Sequence, residues 1–207
     1  MAPPGNQAAN GENKPQPVAS EETGLLDSLA EQKQLLNYLN NMKKGRGTRN
    51  VKRWLLVTVA LNTGLRASEL CDLQLTDLFV EAEYPYIKAC TKKNGDGSIV
   101  YISSKLAQSL KWYLKHYANG SPCLFTSETG QKQTPTGLYL LFQTALKKAG
   151  VSRYPLHILR HTFATNVYRI SKDIRMTQKQ LHHRSIQSTM IYADVSVEDT
   201  VKVMNQL

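Results

Sequence analysis

Trp54-Leu55-Leu56-Val57-Thr58-Val59-Ala60-Leu61 is apolar on nearly every side when wound as an α-helix. A helix of that kind belongs at the centre of a core, covered by other elements. Asn62-Thr63-Gly64 closes it, and Gly64 suits the left-handed cap that ends many helices. A second, short helix is predicted from about Ala67.

Towards the N-terminus lies the basic stretch KKGRGTRN, and before it LLDSLAEQKQLLNYLNNM, with Leu25, Leu29, Leu36 and Leu39 at roughly helical spacing. Residues 24–50 are therefore read as one amphipathic helix and a basic linker. Residues 1–23 hold four of the eight prolines and no aromatic, Leu or Ile. Such a segment cannot bury enough apolar surface to offset the entropy of ordering it, so a disordered tail is expected. The remainder, 51–207, is expected to be one folded domain, to which the residues described below give a catalytic role.

Towards the C-terminus the composition turns β-like over residues 84–102, where YPYIKACT and SIVYI flank KKNGDG. Asn94-Gly95 and Asp96-Gly97 are turn dipeptides, so a hairpin tipped with Lys92 and Lys93 is predicted. Ser103 or Ser104 can cap the next helix, whose Leu106, Leu110, Tyr113, Leu114 and Tyr117 form an apolar stripe better suited to a core than to stacking on bases. A further helix is expected from about Gly137 to Ala149, ending at Gly150, and the rest is helical in short pieces. The fold class is mainly α with a small antiparallel β-sheet (α+β), without βαβ alternation or internal repeat.

The 207 residues are 41% hydrophobic and 20% charged, which excludes collagen, a coiled-coil rod and a wholly disordered chain. No apolar run is long enough for a membrane span, and the N-terminus lacks the apolar core of a signal peptide, so a cytoplasmic, nucleoid-associated protein is expected. Cys71, Cys90 and Cys123 are odd in number and widely spaced, encoding neither a disulfide framework nor a zinc site. Lys and Arg total 26 against 16 Asp and Glu, a net charge of +10. The first 23 residues carry −2, so the remaining 184 carry +12. That balance is the electrostatic footprint of a partner for a polyphosphate chain.

Three clusters bear chemistry. His157 and Arg160, three apart on a helix start, place an imidazole and a guanidinium side by side and can face one phosphate. The same pair also suits a core histidine beside a surface arginine. Arg66 stands between the capped central helix and the next helix start, where an anion is favoured, with Glu69 as a structural partner. His183 and Tyr192 are nine residues apart and would face opposite ways on one straight helix. A break at Arg184-Ser185 would let a new helix return Tyr192 towards His183. Adjacent His182 and His183 rarely share a metal, and no carboxylate or thiol stands at ligand spacing. No phosphate-binding glycine loop, acyl-transfer elbow or zinc motif occurs, so neither cofactor nor metal is expected. A tyrosine nucleophile with cationic clamps suffices for phosphoryl transfer.

On these residues the chain resembles the tyrosine recombinase (phage integrase) family, from about Arg53 to Val197. Thr63-Gly64-Leu65-Arg66-Ala67-Ser68-Glu69-Leu70 is similar to the family's first box, His157-Ile158-Leu159-Arg160-His161-Thr162-Phe163-Ala164-Thr165 to its second, and residues 181–192 to its third. The resemblance implies that Tyr192 is the nucleophile and that Arg66 and Arg160 clamp the phosphate. It further implies that His157 assists proton movement and His183 donates a hydrogen bond. Lys93, with Lys92 as the alternative, would be the hairpin lysine that protonates the leaving oxygen. The implied activity is site-specific DNA recombination through a 3′-phosphotyrosyl intermediate, with double-stranded DNA as partner. A homo-tetramer on DNA, monomeric in solution, is expected, with no membrane. A non-catalytic DNA-binding regulator and a type IB topoisomerase share most of these features. Where the family usually has Gly before its third-box histidine, this chain has His182, whose side chain is expected to disturb a turn needing positive φ. Ser98 stands where a basic residue often opens the second hairpin strand. The C-terminal stripe Val197, Val201, Val203 and Met204 suits either a helix docking on a neighbouring copy or self-packing.

Overall fold

A computed structural model describes residues 29–44, 47–90, 97–118, 120–193 and 204. Eight helices among these residues are α1 (Leu29–Lys44), α2 (Thr48–Thr63), α3 (Ala67–Asp72), α4 (Ser104–Tyr117), α5 (Pro135–Ala149), α6 (Ile158–Ser171), α7 (Ile174–Leu181) and α8 (Gln187–Met190). A single 3-10 turn, Leu75–Asp77, precedes a three-stranded antiparallel sheet of β1 (Leu78–Phe79), β2 (Tyr86–Cys90) and β3 (Gly97–Tyr101). No helix among the described residues is long and apolar enough to cross a membrane.

Helix α2 is the axis of the core, as its all-round apolar sequence requires. Trp54, Leu55, Leu56, Val57, Val59 and Ala60 are all buried, and α1, α4, α5 and α6 pack around it. It ends at Gly64, whose φ of 63° is left-handed and whose N–H donates to the Ala60 carbonyl at 3.0 Å. A Cβ there would lie 2.4 Å from Phe163 Cδ1, so glycine is demanded by packing as well as by φ.

The inward face of α1 is formed by Leu35 and Leu39, both buried, while Leu36 is 47% exposed. Leu35 thus takes the place expected of Leu36, because that is the side of α1 that lies on α2 and α5. Leu25 lies outside the described residues.

The hairpin strands form where alternation predicts them. Ile87 and Val100 are cross-strand partners and both are buried, while Tyr86 and Tyr101 pair on the outer face. The sheet has one strand more than expected, because the two-residue β1 pairs Leu78 with Ile87 and Phe79 with Tyr86. Phe79 stacks on Tyr86 with ring centroids 4.4 Å apart. Strand β3 packs against α7, which sets the hairpin beside the helix leading to His183. Lys92 and Lys93 fall in 91–96, outside the described residues, as do residues 1–28 and the C-terminal valines.

Caps set the remaining boundaries. The Ser103 hydroxyl accepts from the Leu106 N–H, the Thr134 hydroxyl accepts from Gly137 one residue before Pro135, and Gly150 ends α5 at φ 69°. Leu106, Leu110 and Tyr113 are buried, and Tyr113 stacks on Tyr117, so the aromatic stripe of α4 belongs to the core. Cys71 is buried and Cys123 half-buried.

Candidate active site

The first box is a tight connection between α2 and α3. Arg66 is the N-cap residue of α3, and its backbone N–H donates to Glu69 Oε2 at 2.7 Å while its Nη1 donates to Oε1 at 3.0 Å. Glu69 is buried, so one carboxylate closes the helix start and fixes the arginine from below. The Arg66 side chain itself is 43% exposed, which leaves most of its fork free to meet an anion.

Arg160 is held quite differently. It is 3% exposed, with Nη1 donating to the Gly64 carbonyl and Nη2 to the Leu181 carbonyl at 2.7 Å. Those two carbonyls are the free ends of α2 and α7, so the guanidinium braces two helix C-termini and favours their negative dipole ends. Burial, reinforced by the charge of Arg66, lowers its pKa to about 10, and it remains protonated at neutral pH. Two of its five N–H donors are committed to the fold; the other three are what remains for a phosphate.

The break predicted before Tyr192 is present. Helix α7 stops at Leu181, His182 takes φ 53°, and α8 begins only at Gln187. His182 thus adopts the left-handed conformation despite its side chain, donating its N–H to the Lys179 carbonyl at 3.2 Å. Its Nε2 is buried without a hydrogen-bond partner among the described residues. The Ser185 hydroxyl accepts from the Gln187 N–H at the start of α8. His183 is pinned three ways: its N–H to the Gln178 carbonyl, its carbonyl to Gln178 Nε2, and its Nδ1 to Thr189 Oγ1 at 2.8 Å. Thr189 is fully buried. Burial and the charges of Arg160, Arg66, His157 and His161 push the His183 pKa down to about 4. The ring is therefore neutral near pH 7 and carries a single N–H.

Tyr192 packs against Phe163, Ala164 and Leu181, half-buried. Its hydroxyl meets His161 Nδ1 at 2.8 Å. His161 in turn stands edge-on to His157, ring centroids 4.6 Å apart at 88°. Burial raises the Tyr192 pKa, opposed by the charge of Arg160. Burial lowers that of His161, with Arg160 adding to the effect, and His157 is lowered by burial and by the charges of His161, Arg160 and Arg66. Both groups are therefore neutral near pH 7, and one hydrogen bond joins them.

Arg66, His157, Arg160, His183 and Tyr192 are accordingly brought into one electrostatically coupled cluster. Lys93 and Lys92 lie outside the described residues. Reading the sequence overlooked His161, although its place one helical turn after His157 puts both rings on one face of α6. It also overlooked Thr189, which the return of α8 carries to His183.

Residues 29–199 match the Phage integrase family. The chain belongs to that family. Among curated relatives, this integrase-family chain is 33% identical over 147 residues to tyrosine recombinase XerA of Pyrococcus furiosus, covering 70% of this chain and 50% of the relative. It is 31% identical over 162 residues to tyrosine recombinase XerC of Herpetosiphon aurantiacus, covering 75% and 52% respectively. The chain spans about half the length of the curated relatives it matches. Among solved structures, the crystal structure of XerA recombinase superposes with a TM-score of 0.71 at 27% identity, over 86% of this chain and 63% of that one. The Tn1549 transposon integrase, solved with a circular intermediate DNA, shares the fold at a TM-score of 0.74 and 20% identity, over 90% of this chain and 67% of its own.

Proposed function

We propose that the chain is the catalytic domain of a site-specific DNA recombinase that cuts and rejoins strands through a 3′-phosphotyrosyl link to Tyr192. The observation that carries this reading is the Tyr192 hydroxyl, hydrogen-bonded at 2.8 Å to His161 within the field of Arg160. A half-buried phenol beside a neutral imidazole and clustered guanidinium groups is what nucleophilic attack on a phosphodiester requires.

In this reading the Tyr192 oxygen attacks phosphorus in line with the 5′-oxygen, which leaves as the DNA 3′-phosphate becomes bonded to tyrosine. Arg66 presents its exposed fork to a nonbridging oxygen. Arg160 presents its uncommitted edge to the same phosphate, already oriented by the Gly64 and Leu181 carbonyls. His183 donates its Nε2–H to a phosphate oxygen, with no proton to gain or lose near neutral pH. His157 assists proton movement at the tyrosine, and Lys93, or Lys92, supplies the proton to the leaving 5′-oxygen. The energy of the broken bond is kept in the phosphotyrosine, so rejoining by another 5′-hydroxyl reverses the step without ATP.

The relatives named XerA and XerC and the DNA complexes of structural neighbours support double-stranded DNA as the substrate, and the net charge of +10 agrees with it. Assembly as a tetramer on two duplexes belongs to the same proposal. The test is a centrally nicked duplex, drawn from a randomised pool by SDS-resistant capture, on which the cleaved strand is trapped. The wild-type chain forms the covalent adduct, and Tyr192→Phe forms none while binding the duplex unchanged. Adduct formation by Tyr192→Phe would reject the nucleophile, binding without any wild-type adduct would favour a regulator, and relaxation of plasmids lacking any selected site would favour a topoisomerase.

A further inference from the structure

Proton removal from the attacking tyrosine falls, by the resemblance, to His157, yet the side chain in contact with the phenol is another one. We propose that His161 is the general base for Tyr192, a catalytic residue for the strand-cleavage step. The inference rests on the reading given above and revises it at one point, moving the proton acceptor from His157 to the histidine in contact with the phenol.

The geometry carries it. The Tyr192 hydroxyl and His161 Nδ1 are 2.8 Å apart, within the range in which a proton passes directly between heavy atoms. His157 does not replace it; its ring stands at 88° against the His161 ring, 4.6 Å away, and buttresses that imidazole in place. The contact is also long-range, joining residues 31 apart, so it exists only because the chain breaks after α7 and returns. Phe163, Ala164 and Leu181 pack against the Tyr192 ring and hold the phenol over α6. The charged and titratable groups around the pair are His157 and Arg160 from α6, and His183 from the turn after α7. All are cationic or neutral at working pH. They oppose a proton resting on His161 in the free protein and stabilise the phenolate character that develops at Tyr192.

The step balances as follows. The His161 Nδ1 lone pair takes the phenolic proton as the Tyr192 oxygen–phosphorus bond forms. The phosphorus–5′-oxygen bond breaks, and that oxygen takes a different proton from the lysine assigned above. On rejoining, an incoming 5′-hydroxyl attacks phosphorus and the protonated His161 returns its proton to the departing tyrosine oxygen. No oxidant, metal or nucleotide enters.

A contact this close has an opposite reading, a latch that parks the phenol away from phosphorus until DNA releases it. Single-turnover cleavage of the selected nicked duplex separates the two, using wild type, His161→Ala and His161→Asn. Asparagine places a hydrogen-bonding group near the position of Nδ1 but cannot accept the proton, so it separates positioning from base catalysis. The proposal expects both variants to cleave on the order of 10²-fold more slowly near pH 7, with duplex affinity unchanged. The deficit narrows as pH rises and hydroxide takes over the proton. Replacing the bridging 5′-oxygen by sulfur, a leaving group that needs no proton, leaves the His161→Asn deficit in place while relieving that of a hairpin-lysine variant. Faster cleavage by either variant would establish the latch and overturn the proposal. Wild-type rates in His161→Asn, or a deficit erased by the sulfur substrate, would overturn it too. The His161→Asn arm and the pH profile of the wild type stand even if His161→Ala fails to fold. A wild-type chain forming no adduct at all would fail the recombinase reading itself, an outcome distinct from any of these.

Discussion

The guanidinium of Arg160 donates to the carbonyl oxygen of Gly64, 96 residues earlier, and so fastens the start of the first box to the second. The same side chain reaches the Leu181 carbonyl, where the third box begins. One buried cation therefore joins the three segments that carry the candidate chemistry, and its removal strips two helix ends of their partner.

Arg160 and Arg66 should separate cleanly in a stability measurement. Arg160→Ala leaves two buried carbonyls unpaired and an empty volume, a loss of about 2–4 kcal/mol. At roughly 2–4 °C per kcal/mol for a chain of this size, the melting temperature falls by on the order of 10 °C. Arg66→Ala gives up a half-exposed pair with Glu69, worth about 1 kcal/mol or less. Both reduce cleavage by orders of magnitude. Thermal melts beside adduct yields check this, and equal melting shifts for the two variants would contradict the brace.

Gly64→Ala should be severe for its size. The left-handed φ costs about 1–2 kcal/mol for any L side chain, and the methyl group would meet Phe163 and Leu181 at 2.4 and 3.0 Å. Because the Gly64 carbonyl orients Arg160, activity drops along with stability. A variant that melts like wild type would show that the connection has room to spare.

His182→Gly should stabilise the chain. Glycine accepts φ 53° freely, and the substitution removes a buried Nε2 that has no partner among the described residues. Against this stand the greater freedom of glycine in the unfolded chain and the lost packing of a half-buried ring. The net gain expected is about 1 kcal/mol, a rise of a few degrees in melting temperature. A fall would mean that the ring contributes more by packing than its backbone conformation costs.

Much of this was legible in the sequence, and the reasons are local. The all-round apolar face of α2, the glycines that end α2 and α5, the Ser103 cap and the hairpin strands follow from backbone sterics and periodicity. So does the break ahead of Tyr192, since His183 and Tyr192 cannot share a face of one helix. What escaped depends on tertiary contact. Strand β1 is two residues long and exists only by pairing with β2. Leu35 rather than Leu36 faces inward because of how α1 lies on α2. His161 and Thr189 acquire their partners only once α8 has folded back.

Stability should fall on mild acidification. The pKa values of His157, His161, His182 and His183 are all lowered in the folded chain, that of His183 to about 4 from an ordinary 6.5. Between those values the unfolded chain binds protons that the folded chain refuses, so stability is complete above pH 6.5 and is lost as pH falls towards 4. The carboxylates Glu31 and Glu128, also lowered, add their own loss only below their ordinary value of 4.5. Melting temperatures between pH 8 and pH 5 should therefore decline with falling pH, and a flat or rising profile would contradict the neutral histidine cluster.

The central claim is that one phenolic oxygen becomes bonded to phosphorus. Peptide mapping by mass spectrometry of the SDS-resistant adduct, digested with nuclease and protease, reads that bond directly. The account predicts a nucleotide 3′-phosphate on the peptide containing Tyr192 and nowhere else. Attachment to any other residue, or DNA binding with no adduct on any nicked duplex, would contradict it.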